Sequence, residues 1–124
     1  FSRHSDRNQE RRLHLFAAVM TAGLGLWLSR YVGSSTGLSI VAMTLATTGI
    51  VTALPVFWAL PTSRLCGRAA AGGLALINSI GNLGGFVGPY AMGVLSQATG
   101  STAGAMGWLS CSLFLAAFLT LRLR

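Results

Sequence analysis

Beside its hydroxyl side chains, this 124-residue sequence offers two histidines, two cysteines and two side-chain carboxylates for acid–base, nucleophilic or metal chemistry. They do not gather. His4 and His14 flank the first apolar run, and Asp6 and Glu10 stand among arginines. Cys66 lies in a short basic segment and Cys111 inside the last apolar run. No Ser/His/Asp or Cys/His set converges on one face, and no metal-ligand spacing is present. The expectation is a protein that is not an enzyme and has no metal or other cofactor. The cysteines read as small, weakly polar residues and the histidines as surface groups.

The polar groups in an unusual setting are amides. The stretch LALINSIGNLGGFVGPYAMG (Leu74–Gly93) is apolar enough for lipid, yet it carries Asn78, Asn82, Gly81, Gly84, Gly85, Gly88 and Pro89. Helices in lipid associate by close packing and polar contacts rather than by the hydrophobic effect. Gly81 with Gly85, and Gly84 with Gly88, are small-xxx-small pairs suited to helix packing. At roughly 100° per residue, Asn78, Asn82, Gly81 and Gly85 share one face. Two uses remain open for that face. The amides can be interhelical hydrogen-bonding glue, or they can line a water-filled path and touch substrate; in both cases they point into a bundle. Pro89 frees a backbone carbonyl and can kink the helix. Upstream, Thr44, Thr47, Thr48 and Thr52 precede Pro55, Trp58 and Pro61. Threonine hydroxyls can bond to the preceding helical turn and need no partner. Trp58 suits either an interface anchor or a cavity wall.

The elements that position these residues follow from composition. The sequence is 52% hydrophobic and only 9% charged, against about a quarter charged in soluble domains. Uncharged apolar runs of roughly 20 residues cross a bilayer as helices. Four are expected: 13–32, 38–60, 69–95 and 105–121. Gly33–Gly37, Pro61–Arg68 and the segment 96–104 supply Gly/Pro/Ser/Thr turn chemistry between them. Residues 1–12 and 122–124 are the flanks. None of the spans carries Asp, Glu, Lys or His in its middle, so a proton relay or an ion-coupled pump would have no obvious group here. The chain opens on Phe1 rather than Met and reads as a piece or a processed form of something longer.

The net charge of +7 comes from nine arginines without a lysine. They cluster at the ends of apolar runs, which argues for membrane topology and against nucleic acid. Arg3, Arg7, Arg11, Arg12, Arg64, Arg68, Arg122 and Arg124 fall on alternate flanks, against Arg30 alone on the others. The positive-inside rule then puts the N-terminal flank, the middle loop 61–68 and the C-terminal tail in the cytoplasm, with loops 33–37 and 96–104 outside. The expected location is the inner (plasma) membrane, multi-pass. Arg30 can snorkel to the outer interface beside Trp27 and Tyr31.

Ser5-Asp6-Arg7-x-x-Glu10-Arg11-Arg12 resembles the cytoplasmic loop between helices eight and nine of major facilitator superfamily transporters, the second copy of their D-R-x-x-R-R signature. FWALPT, AAAGGLALINSIGNLGGFVGPY and ATGST are similar to helices ten and eleven of the anion:cation symporter branch, the phthalate, tartrate and sugar-acid permeases. The resemblance covers essentially the whole chain as the last four of twelve helices. It implies an all-α membrane fold in which this chain is part of a C-terminal six-helix bundle, rocking against a second bundle around a midplane site. The partners implied are the bilayer, the remaining helices, a small organic anion and protons. Asp6, Arg7, Arg11 and Arg12 would form a conformational latch. Asn78 and Asn82, then Trp58, would face the substrate cavity. Ser2 stands where the family's loop motif commonly has glycine, and Ser96-Gln97 replaces a basic-acidic pair. Without eight further helices, no transport by this chain alone is expected. The competing possibilities are a self-contained four-helix membrane module, or an inactive remnant. A small multidrug exporter would need a membrane-embedded acid in span 13–32, which has none.

Overall fold

The computed structural model describes residues 2–122, with side chains from Glu10 onward. All the regular structure is helical: α1 (Ser2–Ser29), α2 (Thr36–Arg64), α3 (Gly67–Thr99) and α4 (Thr102–Arg122). Each contains a stretch long and apolar enough to cross a membrane, the first being Glu10–Ser29. At about 1.5 Å per residue the helices are ~30–50 Å long, matching a bilayer core with its interfaces.

The helices run past the uncharged segments at several ends. α1 begins inside the stretch read as a loop, because Arg3 to Arg12 has no glycine or proline to stop a helix. α2 continues through Pro61 to Arg64, and the chain reverses at Leu65–Cys66, where the Leu65 N–H donates to the Pro61 carbonyl at 2.9 Å. A proline near a helix end removes only one N–H and does not break the last turn. α3 ends at Thr99 on Gly100, whose φ of +68° is the left-handed cap that glycine adopts without strain.

α1 is the centre of the packing. α2 lies antiparallel on one flank and α4 antiparallel on the other, and these two do not meet. The α1–α2 crossing is very close. Ala18, Ala22 and Gly25 on α1 face Ala42, Ala46 and Gly49 on α2, and the alanines are all buried. A Cβ on Gly25 would stand 2.5 Å from the Ala46 nitrogen, and one on Gly49 would stand 2.5 Å from the Ala22 nitrogen. Backbone meets backbone here, as small residues allow in lipid. The α1–α4 seam uses larger groups: Phe16 meets Phe118 edge-on at 6.2 Å, and the Phe114 ring sits against Gly23.

α3 is set apart. It has no buried residue. It reaches α4 near the turn that joins them, where Gly104 packs on Thr99, and it reaches the end of α2 where Gly73 packs on Leu65. Between these ends it bridges without touching another helix closely.

Candidate functional site

The amide-bearing face lies at the middle of that bridge. Half-buried positions on α3 fall at Ala70, Gly73, Leu74 and Ile77 in its first half and at Gly88, Ala91, Met92, Leu95 and Ser96 in its second; every residue from Asn78 to Val87 is exposed. Asn78 and Asn82 therefore stand together, one turn apart, on a stretch shared with Gly81, Gly84 and Gly85. A Cβ at Gly81, Gly84, Gly85 or Gly88 would meet nothing within 4 Å. The backbone approach that small residues permit falls within this chain on α1 and α2 instead. Its sequence signature is Ala-x-x-x-Ala-x-x-Gly at 18–25 and again at 42–49, as smooth as the glycine pairs of α3.

On α2 the threonines spend their hydroxyls locally. Thr44, Thr47, Thr48 and Thr52 donate to the carbonyls of Ile40, Met43, Thr44 and Thr48 at 2.7–2.9 Å. This satisfies each hydroxyl inside its own helix, so the row needs no partner. Trp58 is half-buried and stacks edge-on with Phe57 at 5.6 Å. The structure does not bring Trp58 against Asn78 or Asn82 among the contacts it defines.

At the end of the bundle where α1 starts and α4 stops, Arg12 has a definite job. Its Nε donates to the Thr120 carbonyl at 3.4 Å and its Nη2 to the Leu121 carbonyl. Both acceptors are in the last turn of α4, where carbonyls lack helical partners and the helix dipole is negative. One guanidinium thus ties the start of the first span to the end of the last. Arg11 is half-buried nearby, and the His14 ring donates to the Glu10 carbonyl at 2.6 Å. The side chains of Asp6 and Arg7 lie outside the described residues. At the opposite end, the Arg30 guanidinium lies on Gly107, within 2.8 Å of where a Cβ would stand, and its centre is 5.8 Å from the Tyr31 ring. Trp27 and Tyr31 meet edge-on at 5.0 Å beside it. The bare surface of Gly107 makes room for that arginine, an arrangement no spacing in the sequence announces. Among the described residues no three His, Cys, Asp or Glu side chains gather into a metal-binding group, and Cys66 and Cys111 are free thiols.

No protein-family model matches the chain, and no solved structure does. Curated relatives do. A protein of Agrobacterium vitis named for tartrate transport is 42% identical over 98% of this chain, which spans 27% of that relative. The quinolone resistance transporter of Acinetobacter baumannii is 36% identical over 95% of the chain and again 27% of the relative. The inner membrane transport protein RhmT of Escherichia coli is 39% identical over 70% of the chain and 20% of the relative. The chain spans 20–27% of the length of these three relatives. It is an all-α membrane protein of four spanning-length helices, homologous over 70–98% of its length to one part of these bacterial transport proteins.

Proposed function

We propose that the chain is the C-terminal third of the helices of a major facilitator superfamily transporter, of the anion:cation symporter branch. In that protein it works within a six-helix bundle that rocks against another to give alternating access. The cargo is a small organic anion, a carboxylate or sugar acid, moved with protons. The observation that carries the proposal is the match over 98% of this chain to a relative named for tartrate transport. The absence of a carboxylate or histidine within the middle of any span fits a piece whose coupling groups stand on other helices. The protein sits in the inner membrane, with the start of α1, the α2–α3 turn and the end of α4 on the cytoplasmic side. Lipid and the remaining helices are its partners, and chemical catalysis is no part of the role.

Within this scheme Asn78 and Asn82 are the substrate-cavity candidates and Trp58 is secondary. Gly81, Gly84, Gly85 and Gly88 form the smooth face on which another helix of the complete transporter packs. Asp6, Arg7, Arg11 and Arg12 serve as the cytoplasmic latch.

A chimera tests the proposal. The matching 121-residue segment of the Agrobacterium vitis relative is replaced by this chain, and uptake of radiolabelled tartrate is measured in cells. Uptake above the vector control, abolished by a protonophore, is the expected result. A chimera inserted in the membrane at normal abundance without uptake favours a separate four-helix module. In an active chimera, Asn78→Leu with Asn82→Leu is expected to reduce uptake at least tenfold at unchanged abundance. Unchanged affinity and rate would remove the amides from the substrate path, and a loss of folded protein alone would make them interhelical glue.

A further inference from the structure

Arg12 and Arg30 are held in opposite ways. Arg12 uses the edge of its guanidinium on α4, through Nε and Nη2 to the Thr120 and Leu121 carbonyls. Arg30, at the other end of α1, is held by its faces. Its Nη1, Cζ and Nε all lie 2.7–3.2 Å from the point where a Cβ on Gly107 would stand, so the plane of the group covers that glycine. Its centre is 5.8 Å from the centroid of the Tyr31 ring, within reach of a cation–π contact. Trp27 meets the same ring edge-on at 5.0 Å and backs it. Arg30 is exposed, and among the described residues no hydrogen bond or ion pair engages it. The five N–H groups of a guanidinium lie in its plane and point out from its edge. Arg30 is thus fixed by its faces with its donors unused.

We infer that Arg30 is the outer docking point for the transported anion: its edge takes a carboxylate of the organic acid from the outside solution before the acid reaches the midplane. The inference rests on the transport reading proposed above and adds an outer site to it. A carboxylate fits the edge of a guanidinium through two parallel N–H···O bonds, a match that an ammonium does not make. The seat on Gly107 and the Tyr31 ring hold the fork in place beforehand, which lowers the ordering cost of binding. Charge selects the ligand. In the proposed topology Arg30 alone of the nine arginines stands on an outer flank, where the positive-inside bias disfavours a cation. Both acidic residues, Asp6 and Glu10, belong to the first half of α1, so neither competes for it. A cation fixed at a mouth raises the local concentration of an anionic substrate and speeds its entry.

The chimera carrying this chain tests the inference in right-side-out and inverted membrane vesicles, with radiolabelled tartrate as the probe. Arg30→Gln is expected to raise KM at least fivefold for tartrate presented at the outer face, with kcat within twofold. KM for tartrate presented at the inner face should not change. Arg30→Lys keeps the charge without the fork and should fall between. Gly107→Ala keeps the charge and removes the seat; the arginine is the flexible partner that must move, and the outer KM should rise at least twofold. If Arg30→Gln does not reach the membrane, Arg30→Lys and Gly107→Ala still decide the matter. Raising the ionic strength should raise the outer KM of the unsubstituted chimera more than that of Arg30→Gln. An active chimera whose outer KM is unmoved by these substitutions overturns the inference and leaves the transport reading standing. So does a change equal at both faces, or one confined to abundance, which would make Arg30 an anchor to lipid phosphate or to another helix. An inserted chimera without any uptake removes the transport reading, and this inference falls with it.

Discussion

In this chain by itself, replacing Gly49 by leucine is expected to lower the melting temperature sharply, whereas the same change at Gly85 leaves it. The difference is set by what a side chain would meet. At Gly49 even a Cβ falls 2.5 Å from the Ala22 nitrogen and 2.6 Å from the Ala18 carbonyl oxygen. Those are backbone atoms of a helix and cannot swing aside, so α1 and α2 must separate. Inserting groups into a well-packed interface costs typically ~1–3 kcal/mol and occasionally more. That is a large share of a net stability of about 5–15 kcal/mol. Separation also strips contact from Ala18, Ala22, Ala42 and Ala46 together, because all four share the seam. Gly25→Leu should behave like Gly49→Leu, since it faces the Ala46 nitrogen and the Ala42 carbonyl oxygen. At Gly85 nothing lies within 4 Å, and replacing glycine in a helix recovers up to about 1 kcal/mol of propensity. Fluorescence-detected gel filtration of heated fusion proteins in detergent measures this directly. Equal melting temperatures for Gly49→Leu and Gly85→Leu would mean that the α1–α2 crossing is not close.

The contrast between those glycines also marks how far the sequence could be read. The four spans were legible because bilayer thickness and the cost of an unpaired backbone group leave few options for long uncharged runs. The threonine row on α2 was legible as self-satisfied for a similar reason: a hydroxyl can always reach the preceding turn. Helix ends were less so. Residues 2–12 carry charges that mark a membrane flank, yet nothing in them opposes helix, and Pro61 sits where a proline is tolerated. Which small residues make contact was not legible. Ala-x-x-x-Ala-x-x-Gly on α1 and α2 and Gly-x-x-x-Gly on α3 are equally smooth, and smoothness says that a backbone can approach without saying from where. Asn78 and Asn82 pose the same difficulty. Their shared face follows from their spacing of four, but what that face meets depends on elements beyond α1, α2 and α4. Arg12 and Arg30 show the limit for charged groups. Their places mark both as membrane flanks, but their partners, the last carbonyls of α4 and the bare surface of Gly107, are set by packing of residues far away along the chain.

Arg12 yields the second large effect. Substituting glutamine is expected to lower the stability of the α1–α4 pair by about 1–2 kcal/mol, and lysine should recover only part of it. Two contributions are lost with glutamine. One is the pair of charge-assisted hydrogen bonds to the Thr120 and Leu121 carbonyls. Such bonds are each worth ~1.5–3 kcal/mol when well shielded, and they are discounted here because one of them is exposed to solvent. The other is the favourable placement of a cation at a helix C-terminus, about 0.3–1 kcal/mol. Lysine keeps the charge but not the planar fork that reaches two carbonyls at once. Arg11→Gln removes an equal charge one residue away and serves as the control for general surface electrostatics. The expected order of melting temperatures is wild type and Arg11→Gln together, then Arg12→Lys, then Arg12→Gln. If Arg12→Lys matched wild type, the charge alone would matter and the fork would be incidental. If Arg12→Gln matched wild type, the seam would rest on Phe16, Phe118 and the Phe114–Gly23 contact. The order also bears on transport. A clasp between the first and last spans makes α1 and α4 move as one body, so in an active chimera Arg12→Gln should slow uptake more than Arg11→Gln at equal abundance. Equal rates would confine Arg12 to stability.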